Sequence, residues 1–150
     1  MDTGGLTVTA DPDALVAAAA ARRRSVLAVV PYTDVGLGAA ALAGRTARLL
    51  GVPLTVALLR PHLSWILTFT VLPLPEFYAD HERDAMLALV RALDPSGMCW
   101  RLRVVDTVPA LCDLVRRLDP GLVVVGTRRR FAARLAKRVS VPVCVWAGHN

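Results

Sequence analysis

From Ser25 onward, continuous apolar runs alternate with segments of helical period. "SVLAVV" (25–30), "LTVALL" (54–59) and "LVVVG" (122–126) are apolar almost throughout, as strands buried on both faces of a parallel sheet are. "MCWRLRVVD" (98–106) alternates instead. Cys99, Arg101 and Arg103 fall on one side, Trp100, Leu102 and Val104 on the other, the pattern of a half-exposed edge strand. "VPVCVWA" (141–147) contains Pro142, which cannot donate to a ladder and favours the opposite edge. Helices are expected between the strands. One covers 34–50, with Thr33 or Asp34 as cap and Gly51 as stop. Others run from Glu76 to Leu93, over 107–119 with Leu111, Leu114, Val115 and Leu118 on one face, and over 130–138.

Strands alternating with helices predict an α/β, Rossmann-like fold: an open five-stranded parallel sheet with helices on both faces. Placing the apolar strands in the centre gives the order 3-2-1-4-5, counted from Ser25. Ligands of such sheets bind where the order reverses, beyond the carboxyl ends of the strands. The walls of that cleft are Pro31, Tyr32, Thr33 and Asp34 on one side, and Gly126, Thr127, Arg128, Arg129 and Arg130 on the other. Residues 1–24 read as an N-terminal extension holding a short helix, with Asp11 as cap and Pro12 at its first position. Residues 25–150 form the domain proper.

Bulk properties narrow the function. The chain has 150 residues, enough for one domain with a real core. Mean hydropathy is high at +0.48, but no apolar run reaches the roughly 18 residues that span a bilayer. The N-terminal "MDTGGLTVTADPD" lacks a basic leader region, so a cytoplasmic address is expected, without a membrane partner. Cys99, Cys112 and Cys144 have no metal-like spacing and read as buried free thiols, and His62, His81 and His149 are scattered. No metal is expected. The net charge of +6 comes almost wholly from arginines spread along the chain, so a nucleic-acid partner is not expected.

The run from Ser25 to Ala147 resembles the universal stress protein family. The residues that carry the resemblance are "SVLAVV" with its alanine-rich helix, "GVPLTVALL", "PALCDLVRRLDPGLVVVGT" and "VPVCVWA". The resemblance implies a Rossmann-like fold, usually a homodimer, and in many members an ATP site. ATP-binding members carry a glycine, two residues, a second glycine, nine residues, then a glycine followed by serine or threonine. Gly126 matches the first position, but the second falls on Arg129 and the last pair on Val139 and Ser140. Those members also end the first strand with an aspartate, where this chain has Val30 or Pro31. A degenerate site is expected, with no cofactor and no bound ATP.

The remaining candidates do not form a catalytic set. Gly36, Gly38 and Ala41 match a relaxed dinucleotide fingerprint, but the glycines come too late after the strand, and close helix packing is the better account. Arg128, Arg129 and Arg130 oppose the dipole of the helix they open, which suits an anion or an acidic partner; the alternative is a solvated basic turn. Arg134, Lys137 and Arg138 read as that helix's wet side. Trp65, Phe69, Phe77 and Tyr78 anchor a segment open to three readings: core, a lid over the cleft, or a docking patch for a protein partner. The last strand, through Val141, Val143, Val145 and Trp146, is the expected homodimer interface, since an open edge invites pairing. The expected function is a non-catalytic stress-response or regulatory protein, not an enzyme, acting through association. The alternative is a nucleotide- or anion-binding module at the cleft.

Overall fold

The computed structural model describes residues 6–9, 12–20, 24–31, 35–59, 74–93, 100–126 and 129–146. Along the chain these form β1 (Leu6–Thr9), α1 (Pro12–Ala20), β2 (Val26–Pro31), α2 (Val35–Leu50), β3 (Leu54–Leu59), α3 (Leu74–Leu93), β4 (Trp100–Val105), α4 (Val108–Leu118), β5 (Leu122–Val125), α5 (Arg129–Arg138) and β6 (Val143–Trp146). The sheet order is β1-β6-β5-β2-β3-β4, with every described pairing parallel. The five strands from β2 onward have the expected 3-2-1-4-5 order. β1, which the sequence reading did not anticipate, adds a sixth strand outside β6, ahead of the expected helix α1.

The strand patterns have the expected physical origin. β2, β3 and β5 lie inside the sheet, and Val26 to Val30, Leu54 to Leu58 and Leu122 to Val125 are buried. Such strands have no face to give to water, so polar alternation is absent. β4 is the edge: Arg101 and Arg103 are exposed, while Trp100 and Leu102 pack against the core.

One apolar layer holds the even-numbered residues of β2 and β3, covered by α2 and α3 through Ala39, Ala43, Ala47, Leu89 and Leu93. The alanines let α2 lie close to the strands. The opposite layer holds Leu27, Val29, Val123 and Val125 under α4 and α5, with Leu111, Val115, Ala132 and Leu135 facing inward.

Local signals fix the helix ends. α2 stops at Gly51, whose φ is +66°. The Gly51 and Val52 amides donate back to the carbonyls of Arg48 (3.2 Å) and Ala47 (3.0 Å), the paired bonds of a glycine-terminated helix. α4 starts at Thr107, whose hydroxyl oxygen accepts from the Ala110 amide at 3.2 Å, and ends at Asp119 with φ +44°. The Asp119 carboxylate pairs with Arg24, tying this turn to the entrance of β2.

One expectation about the last strand is corrected. Pro142 does not make β6 an edge: the ladder begins at Val143, and the Pro142 carbonyl accepts from the Val123 amide at 3.0 Å. The missing N–H falls ahead of the paired residues. β6 therefore bonds on both sides, with Val143 opposite Val123 and Leu6.

Candidate functional site

The chain leaves β2 for α2 on one face of the sheet and leaves β5 for α5 on the other. Between the carboxyl ends of these neighbouring strands lies the crevice of an open parallel sheet. Its described walls are Pro31, which closes β2, and Gly126, which follows β5. Val29 and Val125 are partners in the ladder, so the two ends stand side by side. Arg129 is the first residue of α5, and Arg130, beside it, is exposed. Tyr32, Thr33, Asp34, Thr127 and Arg128 lie outside the described residues.

Residues 126–128 are all that separate β5 from α5. A phosphate cradle needs several main-chain amides pointing outward together. The Gly126 amide is already committed, donating to the Val29 carbonyl at 2.9 Å, and Gly126 is buried. Residues 127–128 lie outside the described residues, and beyond them comes the first turn of α5. That turn carries no acidic residue and two arginines, so its charge adds to the positive end of the helix dipole.

A larger concavity opens beside this point, on the face that α4 and α5 cover. It has a volume of about 630 Å³ and is lined by Leu59, Thr107, Phe131, Arg134 and Arg138, with Asp106 at the start of α4. Further along the same helix pair, a second hollow of about 220 Å³ is lined by Val115, Asp119, Lys137, Arg138 and Val141. Arg134, Lys137 and Arg138 are exposed, as a wet side requires, but they also border these hollows. Sequence reasoning missed this role. The available signal was spacing: Phe131, Arg134 and Arg138 stand three and four residues apart, on one helical stripe.

The dimer residues of the sequence reading are placed elsewhere. Val141, Val143 and Val145 are buried in the chain's own core beneath α5, and the outer bonds of β6 belong to β1. They are therefore not an open interface. Trp146 is half-buried against the α2 layer. A methyl group added at Gly38 would meet the Trp146 indole nitrogen at 3.7 Å, an ordinary contact, so packing does not require glycine there. The segment open to core, lid or docking roles lies outside the described residues: Trp65 and Phe69 precede α3, and the side chains of Phe77 and Tyr78 within it are not among the described residues.

Among the described residues, the buried polar side chains are Thr46 and Thr55. The Thr46 hydroxyl donates to the Leu42 carbonyl at 2.9 Å. Cys112 and Cys144 are buried free thiols, and burial raises the Cys144 pKa, making it a poorer nucleophile. Among the described residues, no group of histidine, cysteine, aspartate or glutamate side chains has metal-binding geometry, and no helix is long and apolar enough to cross a membrane.

No family model matches the chain, and no curated protein does. Solved structures do. A universal stress protein family member from Burkholderia pseudomallei superposes with a TM-score of 0.63 at 16% identity, over 81% of this chain and 93% of that one. A universal stress protein in complex with cAMP gives 0.56 at 20% identity, over 84% and 96%. The universal stress protein of Archaeoglobus fulgidus in complex with dAMP gives 0.55 at 18% identity, over 81% and 95%. The resemblance read from the sequence holds at the level of fold.

Proposed function

We propose that this chain is a non-catalytic regulatory protein of the universal stress type, cytoplasmic, acting by association with other proteins and not through ATP. The observation that carries this reading is the turn after β5, three residues long with its first amide spent on the sheet. The sequence from 126 to 130 carries no second glycine, and bulky side chains hinder the close main-chain approach that three phosphates need. Native mass spectrometry of the purified protein tests the reading. The expected spectrum contains protein without bound ATP, and a copurified triphosphate at stoichiometric level would refute it. Self-association belongs to this reading. A dimer would use the outer edge of β1 or another face, because β1 holds the outer edge of β6.

A second reading draws on the cAMP and dAMP carried by two structures of the same fold. A single phosphate needs fewer donors than three. In this reading a mononucleotide sits at residues 31–34 and 126–130, with Arg128 and Arg129 as the cationic wall. Thermal shift separates the two: a ligand at 100 times its Kd adds about 2.7 kcal/mol of stability. A shift with cAMP or AMP that is lost in an Arg128→Ala, Arg129→Ala double variant favours the second reading.

A further inference from the structure

We propose that the seam between α4 and α5 is a docking groove for an extended acidic segment of a partner protein. Two carboxylates of that segment, two residues apart, would seat on Arg134 and Arg138. This names the partner chemistry for the association reading and rests on it. The two hollows on this face share Arg138 and follow the same pair of helices, and the proposed groove runs through both. Its lining is mainly apolar at one end, with Leu59, Val108 and Phe131, and mixed at the other, where buried Val115, Val139 and Val141 stand beside Ser140.

Its rim on α5 is cationic. Arg134, Lys137 and Arg138 are exposed, and no salt bridge within the described residues engages them. On the α4 side, Arg116 bonds Asp113 at 2.9 Å. The two carboxylates on the lining stand at the ends of α4: Asp106 before it, and Asp119, paired with Arg24, after it. The α5 rim thus presents positive charge beside the apolar lining of Leu59, Val108 and Phe131. An acidic strand with alternating apolar residues complements both.

The dimensions agree. Arg134 and Arg138 are four residues apart on a helix, about 6 Å along its axis. Alternate side chains of an extended chain repeat at about 6.6 Å. From Phe131 to Arg138 the helix rises about 10 Å, the length of about three extended residues.

Fluorescence anisotropy with a labelled Leu-Glu-Leu-Glu-Leu peptide tests the proposal on the full chain. The expected result is saturable binding, weakened at least tenfold by Arg134→Glu with Arg138→Glu. A second double variant, Arg45→Glu with Arg48→Glu, makes the same change in net charge on exposed positions of α2 and is expected to bind as the wild type does. Circular dichroism establishes that both variants are folded. Equal loss in both would reduce the effect to general electrostatics and overturn the proposal. So would absence of peptide binding at millimolar concentration, or binding of phenyl phosphate at Arg134 and Arg138 without binding of the peptide. Bound ATP would defeat the association reading while leaving the peptide titration unchanged, so the two failures are distinguishable.

Discussion

Replacing Val143 with aspartate separates an internal strand from an interface strand. Val143 is fully buried, hydrogen-bonded between β5 and β1, and packed in the layer beneath α5. The substitution removes a valine from the core, a loss of about 1.5 kcal/mol or more. It also leaves a carboxyl group without a built partner, at about 1–3 kcal/mol if it takes up a proton and more if it stays charged. The sum, about 3–5 kcal/mol, is a large part of the roughly 5–15 kcal/mol that stabilises a domain. With a urea dependence of about 2 kcal/mol per molar, the midpoint should fall by about 2 M. Val104→Asp, at the opposite edge where the side chain is 40% exposed, should shift it far less. The assay is urea unfolding followed by circular dichroism at several protein concentrations. A Val143→Asp protein with a wild-type midpoint and only a changed oligomeric state would refute the burial argument.

Other outcomes follow from single contacts. Thr107→Ala removes the acceptor for the Ala110 amide and should cost about 1 kcal/mol in thermal or urea unfolding. Gly38→Ala should be neutral or stabilising by up to about 1 kcal/mol in the same assays, because an alanine fits beside Trp146; a large loss would mean that close packing does require the glycine. Burial raises the Cys144 pKa, so the unfolded chain loses this proton first. Stability from this thiol is complete below the ordinary cysteine pKa and falls as pH rises above it, and a thiol reagent should modify Cys144 only as fast as the protein opens. Deleting residues 1–10 uncovers the outer edge of β6 and should increase association in sedimentation velocity over the full chain; unchanged sedimentation would deny β1 its role as a cap.

Most of the sheet was legible because burial on two faces leaves an unmistakable mark. β2, β3 and β5 must be apolar almost throughout, with Thr55 the polar residue among them, and the arginines of β4 betray its edge. Gly51 was legible as a stop because few other residues accept a positive φ. β1 was not, although Thr7, Val8 and Thr9 are good strand formers. Four residues have no period of their own, and only the β6 edge makes them a strand. That omission, with Pro142, led to the dimer assignment for Val141, Val143 and Val145. A proline one residue ahead of a ladder removes no bond from it. Arg134 and Arg138 were read as solvated because the groove they border depends on how α4 and α5 pair, which no single helix records.

Isothermal titration with magnesium ATP tests the account most directly. The account predicts no heat of binding at millimolar nucleotide, because the Gly126 amide is bound to Val29 and the sequence from 126 to 130 carries no second glycine. Stoichiometric binding with a micromolar Kd, retained when Arg128 and Arg129 are both changed to alanine, would place the triphosphate on main-chain amides and contradict it.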